Sequence, residues 1–310
     1  MNLIHIIVLV VAIALAALCL LAAGLAMYIT GIRRQTIEEA KAWQDAHYDT
    51  SYWDSLEKKE YRVRGYRDYL LHTLFVANPK QPDSKKYVIL SHGHTDNRMG
   101  DLKYLPTYLS LGFHCIIYDL RGHGCNSPSP CSYSIRERED LLALIRDSRD
   151  RYGEDIILGL HGESLGAATT VACLYARPEV AFAVADCGFA DIENVLRGAG
   201  SKARIPDFLL TLAMFMAKLF FGFDLKKARP IDSLRGNQVP ILFMHGREDR
   251  LISPENSRRM EEATEGETGL HLFEGAGHAE SVLVDPERYR RYVGAFLGRI
   301  MPEDMRPHRE

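Results

Sequence analysis

Residues Ile156 to Ala176 read IILGLHGESLGAATTVACLYA, and this stretch decides the fold. Its opening, Ile156–Leu160, is an apolar run without a charged break, as expected of a strand buried on both faces. Its close, Leu165–Ala176, carries small apolar residues at helical spacing. Between them stands Gly162-Glu163-Ser164-Leu165-Gly166. In a G-x-S-x-G turn the serine occupies a sharp strand-to-helix bend, and its flanking glycines are needed because side chains there would collide with neighbouring backbone. The following helix aims the positive end of its dipole at the turn. The spacing alone is weak evidence, and the strand before and helix after it carry the weight.

Outward from this point the same unit recurs. Apolar runs suited to strands occur at Tyr87–Leu90, Phe113–Tyr118, Ala181–Ala185, Ile241–Met244 and Leu270–Phe273. Helical patterns fall between most of them, at Leu102–Leu111, Ile135–Tyr152, Ser253–Glu265 and Pro286–Ile300. Apolar strands alternating with helices predict an α/β fold, a mostly parallel sheet covered on both faces. Tyr61 to Asn78 reads as a hairpin broken at Gly65–Asp68 and ended by Asn78-Pro79. From Phe189 to Val239 the rhythm lapses. No strand pattern occurs there, and Phe208 to Phe223 reads FLLTLAMFMAKLFFGF. The interval, about 189–238, is expected to be a helical cap inserted before the Ile241–Met244 strand, although a core helix or a membrane-lying patch fits the same residues.

The N-terminal block, Leu3 to Ile29, is almost continuously apolar, and no Asp, Glu, Lys or Arg precedes Arg33. It is long enough to span a bilayer and lacks the basic start of a secretory signal, so residues 1–32 are expected to form a transmembrane anchor with 3–29 in the membrane. Residues 33–60 read as a juxtamembrane helix and linker, with Ile37, Ala40, Trp43, Ala46 and Tyr48 at partial apolar spacing, and 61–310 as the α/β domain. Arg33 and Arg34 favour a cytoplasmic domain through the positive-inside bias, and an extracytoplasmic one stays open. The 38 basic and 41 acidic residues leave a net charge of −3, which argues against nucleic acid as a partner. Of six cysteines, Cys19 lies in the apolar block, while Cys115, Cys173 and Cys187 read as small buried hydrophobes. Cys125 and Cys131 flank a Pro/Ser loop and are candidates to pair if the domain is exported.

A serine hydroxyl needs a base to take its proton and an acid to hold that base. The chain order for this architecture is Ser, acid, His. Asp249, in HGRED past the Ile241–Met244 run, and His278, in GAGHAES past Leu270–Phe273, supply the other two roles, with Ser164 as nucleophile. Both sit at carboxyl ends of strands, where open α/β sheets place their sites. Oxyanion donors are expected from the backbone N–H of Leu165 and, in the loop His92-Gly93-His94-Thr95, of His94, with Thr95 as second choice. His92 and His94 could suggest a metal pair, but no third ligand stands at metal-site spacing. No metal or organic cofactor is expected.

Together, HGHTDN (92–97), YDLRGHGCNS (118–127), GESLG, PILFMHGREDRLI (240–252) and GAGHAES resemble the α/β-hydrolase superfamily over most of residues 60–300. The resemblance is nearest to a membrane-anchored bacterial branch related to serine aminopeptidase and prolyl-oligopeptidase-like hydrolases and to cinnamoyl esterases. It implies Ser164, His278 and Asp249 as a triad, His94 and Leu165 as oxyanion donors, and a mainly structural role for Asp119, Arg121 and His123. Fold and triad do not choose among the activities such a site serves; cleavage of a carboxylic ester is the first expectation, with a small-molecule ester or, compatible with the apolar insertion and the anchor, a lipid-like ester as substrate. A peptidase or amidase of the same fold is the second reading, and a catalytically silent membrane-tethered binding protein the third.

Overall fold

The computed structural model describes residues 2–31 and 33–301. Eight strands form one sheet in the order β1-β2-β4-β3-β5-β6-β7-β8. They are β1 (Lys58–Arg64), β2 (Leu70–Val76), β3 (Lys86–Ser91), β4 (His114–Tyr118), β5 (Ile157–Glu163), β6 (Phe182–Asp186), β7 (Ile241–Gly246) and β8 (Thr268–Phe273). The β1–β2 and β2–β4 pairs are antiparallel, and every pair from β4 through β8 is parallel. Parallel neighbours need a crossover, and helices supply it, as the alternation of apolar runs with helical patterns requires.

Strand pleating splits the sheet's apolar residues between two cores. Ile89, Ile116, Leu160, Ala183 and Phe243 face one side, where they meet α4 (Glu137–Tyr152) and α5 (Leu165–Cys173). Val88, Ile117, Phe182, Val184 and Leu242 face the other, against α3 (Leu105–Ser110) and α10 (Pro286–Ile300). Each fully buried Leu, Ile or Phe contributes about 1.5–3 kcal/mol, so the two layers supply the drive that holds the loops at the strand ends.

Between β6 and β7 lie α6 (Ile192–Lys202), α7 (Asp207–Phe221) and 3₁₀ turns at Leu225–Lys227 and Pro230–Leu234. Before β1 come α1 (Leu3–Gly31) and α2 (Ile37–His47); α8 (Glu255–Glu262) follows β7 and α9 (Ser281–Val284) follows β8. The α1 helix is long and apolar enough to cross a membrane, with no Asp, Glu, Lys or Arg in it. The α2 helix starts with a capping box, Thr36 accepting from the Glu39 N–H and Glu39 accepting from the Thr36 N–H.

Several boundaries differ from the sequence expectation. The first strand begins at Lys58 rather than Tyr61, because Lys58 and Glu60 pair by backbone with Val76 and Leu74, while the Lys58 ammonium donates to Trp53 O and the Glu60 side chain remains exposed. The hairpin turn lies where expected and places Arg67 and Asp68 in the left-handed region, with φ of 55° and 59°. The helical stretch expected at Leu102–Leu111 opens as a 3₁₀ helix, Arg98–Tyr104, because the Asn97 side chain caps the Met99 N–H and Asp119 accepts from the Arg98 N–H. Cys125 and Cys131 are free thiols, the first exposed and the second buried, so no disulfide joins them. Cys115, Cys173 and Cys187 are buried.

Candidate active site

Ser164 is the hinge between β5 and α5, with φ of 53° and ψ of −110°. The backbone is held in this left-handed conformation from both sides: the Ser164 N–H donates to Asp186 O at 2.8 Å and its carbonyl accepts from Ala168 N at 3.0 Å. The two flanking glycines are sterically required. A Cβ on Gly162 would lie 2.2 Å from Gly166 O, and one on Gly166 would lie 1.8 Å from Ser91 O. Gly162 thus lets α5 close on β5, and Gly166 lets it close on β3.

The Ser164 Oγ lies 2.9 Å from His278 Nε2, and His278 Nδ1 lies 2.7 Å from Asp249 Oδ2. With Asp249 as acceptor, Nδ1 carries the imidazole proton and the Nε2 lone pair faces the serine hydroxyl. The three residues come from the ends of β5, β7 and β8, separated by up to 114 positions in sequence. Asp249 Oδ1 accepts from the N–H groups of Leu251 and Ile252 at 2.8 and 2.9 Å. Burial alone would raise its pKa, but the donors from His245, His278 and Ile252 outweigh that and hold it well below the usual carboxylate range. Asp249 is thus an anion aimed at His278.

His94 and Leu165 line the same cavity as Ser164. Leu165 is the first residue of α5, so its N–H has no acceptor within its own helix. The residue after His94, Thr95, has φ of 69°, and its carbonyl accepts from the Gln35 N–H at 2.7 Å. The His94 side chain is half-buried with both ring nitrogens shielded from solvent and neither hydrogen-bonded, and burial pushes its pKa down to about 4, so the ring is neutral. His92 is fully engaged by backbone: Nδ1 donates to Gly93 O and Nε2 accepts from the Leu120 N–H. That binding, rather than metal ligation, accounts for His92. Asp119, Arg121 and His123 brace the neighbouring loops, through the Arg98–Asp119 and Arg121–Asp140 ion pairs and the His123 bond to Arg121 O.

The sequence reading missed several groups. His245 is buried at the end of β7, with Nε2–H directed at Ile252 O (2.8 Å) and Asp249 Oδ2 (3.1 Å), while Nδ1 accepts from the Ser257 hydroxyl (2.7 Å). It gives Asp249 a second imidazole donor. The available signal was a histidine ending an apolar strand four residues before the acid. Glu163, beside the serine, forms a buried ion pair with Lys103 and accepts from the Tyr104 hydroxyl at 2.6 Å. Burial would lower the Lys103 pKa, but the Glu163 charge reverses this and raises it. Trp43, in α2, and Tyr48, just beyond it, place rings within 6 Å of the Lys103 ammonium. A lone lysine in DLKYL gave no sequence sign of a partner sixty residues away.

The cavity in front of Ser164 has a volume of about 420 Å³, within the range of small-molecule sites. Among the described residues, no Asp, Glu, Lys or Arg lines it.

A model described as the alpha/beta hydrolase family matches residues 88–292. The YqkD protein of Bacillus subtilis is 29% identical over 274 residues, covering 86% of this chain and 88% of that protein. Alpha/beta hydrolase domain-containing protein 17C of Xenopus tropicalis is 29% identical over 264 residues, covering 83% and 73%. Among solved structures, the Pyrococcus furiosus esterase Pf2001 superposes with a TM-score of 0.67 at 24% identity, covering 82% of this chain and 96% of that one. A puromycin-hydrolyzing peptidase of Mycobacterium tuberculosis superposes with a TM-score of 0.61 at 17% identity, covering 78% and 40%. These structural likenesses are of fold.

Proposed function

The chain belongs to the alpha/beta hydrolase family, and from that membership we propose a serine hydrolase that cleaves carboxylic esters through an acyl-enzyme, tethered to a membrane by α1. The observation that carries the reading is the hydrogen-bonded run Ser164–His278–Asp249 at the end of an uncharged, apolar cavity.

In this mechanism Ser164 Oγ adds to the ester carbonyl while His278 Nε2 takes the hydroxyl proton. Asp249 keeps the imidazole in the accepting tautomer and stabilises its cation. The negative charge formed on the carbonyl oxygen meets the N–H groups of Leu165 and His94, which strengthen as that charge develops. Collapse breaks the bond to the alcohol, which leaves with the proton from His278. Water then adds to the acyl-enzyme with His278 again as base, and the acid departs. Removing one oxyanion donor from such a site costs about 10²–10³ in kcat.

An ester is favoured over a peptide by the lining. No charged side chain among the described residues lines the cavity to receive a peptide terminus, while leucine, isoleucine, valine and alanine side chains suit an apolar acyl group. The test is labelling by a fluorophosphonate, followed by turnover of nitrophenyl esters against aminoacyl anilides. Ser164→Ala should abolish labelling, and wild type should prefer esters. Undiminished labelling of Ser164→Ala removes the nucleophile assignment; preference for anilides removes the ester.

A further inference from the structure

We propose that the last two turns of α1 form a wall of the substrate site, and that the site takes the hydrocarbon chain of an ester resident in the bilayer α1 enters. The proposal rests on the serine-hydrolase reading and names the substrate's physical source and one specificity-determining surface.

Helix length makes the first point. At about 1.5 Å per residue the 29 residues of α1 extend roughly 43 Å, against a hydrocarbon core of about 30 Å. Some nine residues, about 13 Å, are left over. The pattern of burial shows which end they occupy: Leu3 to Leu15 are exposed, and the buried residues are Ala22, Ala26, Ile29 and Thr30. The same last turns supply Leu25, Tyr28 and Ile29 to the cavity that contains Ser164. A second part of the wall comes from α6, through Val195 and Ala199.

The α1 wall is fixed in place. The Tyr133 hydroxyl donates to Ile29 O at 2.8 Å and the Cys131 N–H to Thr30 O at 2.9 Å. Arg34 donates to the carbonyls of Gly122 and Ser129. The Gln35 N–H donates to the Thr95 carbonyl, one residue from the oxyanion loop's His94. A helix serving only as a tether would need none of these bonds.

The surface beside this wall is suited to hydrocarbon. Small residues, Ala22 and Ala26 on α1 and Ala213 and Ala217 on α7, are buried in one cluster and let the two helices approach closely. The outer face of α7 then exposes Phe208, Phe215, Leu219 and Phe220, each more than half accessible. That apolar face adjoins the excess length of α1, so it lies at the acyl boundary of a bilayer that α1 enters. Tyr28, Ala199 and Leu251 line the cavity and are themselves exposed, so its mouth is apolar. An acyl chain can pass from the bilayer to Ser164 along apolar side chains, and the ester carbonyl stops at the hydroxyl and the two backbone donors.

The experiment uses full-length protein in phosphatidylcholine vesicles, labelled with an ethyl and with a hexadecyl fluorophosphonate. Wild type should react faster with the hexadecyl probe. Leu25→Trp on α1 and Ala199→Trp on α6 narrow the cavity from two different helices, and each should reduce the hexadecyl-to-ethyl rate ratio by about tenfold or more. Leu9→Trp, on the exposed part of α1, should leave that ratio at the wild-type value. Loss of folded protein lowers both rates together and does not move the ratio. An unchanged ratio in Leu25→Trp with a lowered one in Ala199→Trp removes α1 from the site. A ratio near one in wild type removes the hydrocarbon chain as occupant. Absence of labelling by either probe removes the nucleophile itself, and this proposal with it.

Discussion

Replacing Asp249 by Asn isolates what the carboxylate does, because the side chain keeps its shape and loses its charge. In the structure Oδ1 accepts two backbone N–H groups, from Leu251 and Ile252, and Oδ2 accepts from two imidazoles, His245 and His278. The asparagine oxygen can retain the backbone pair, which turns its NH₂ toward two nitrogen donors. His278 must then shift its proton to Nε2, where it faces Ser164 and cannot accept the hydroxyl proton. His245 cannot relieve the conflict by the same shift, since its Nε2–H is also needed by Ile252 O. The expected loss in kcat is about 10³–10⁴, or roughly 4–5.5 kcal/mol in the barrier. Stability should fall by about 2–4 kcal/mol, the loss of charge-assisted bonds worth about 1.5–3 kcal/mol each, partly offset by no longer burying a charge. Because the folded-state pKa of Asp249 is depressed, its contribution is complete above the ordinary carboxylate range, about pH 4, and is lost as pH falls below it. The stability gap between wild type and Asp249→Asn should therefore narrow on acidification through that range. Steady-state hydrolysis of a short nitrophenyl ester and denaturant unfolding at several pH values measure both quantities. A folded Asp249→Asn protein with kcat within tenfold of wild type would refute the reasoning.

Other consequences are directly measurable. His245→Phe removes a donor to Asp249 without touching the cavity, so kcat should drop about ten- to a hundredfold with KM nearly unchanged; a rise in KM alone would show that His245 acts on substrate binding instead. Gly166→Ala sets a methyl group 1.8 Å from the Ser91 carbonyl and should destabilise the fold by about 3 kcal/mol or more, which thermal unfolding would register. An unchanged melting temperature would mean that α5 is free to retreat from β3. Membranes carrying the full chain should retain it through a carbonate wash, as expected of an anchored helix. Quantitative release would remove the anchor.

The sequence by itself determined most of what is local or periodic. Alternation of apolar runs with helical spacing dictated the parallel sheet, and G-x-S-x-G between a strand and a helix identified the bend at Ser164, because only glycine tolerates the contacts at 162 and 166. The positions of Asp249 and His278 were legible because chain order and strand ends constrain where such residues can meet. Tertiary structure alone decided the contacts between distant side chains. Nothing local marks His245 as a partner of Asp249, or Lys103 as the counter-ion of Glu163, since one histidine or lysine in an apolar stretch has many available neighbours. The cavity wall was hidden for a related reason. A helix apolar on every face shows no direction in its sequence, so Leu25, Tyr28 and Ile29 could not be told from Leu9 or Val10 until α7 and the loop at Tyr133 packed against one end of α1.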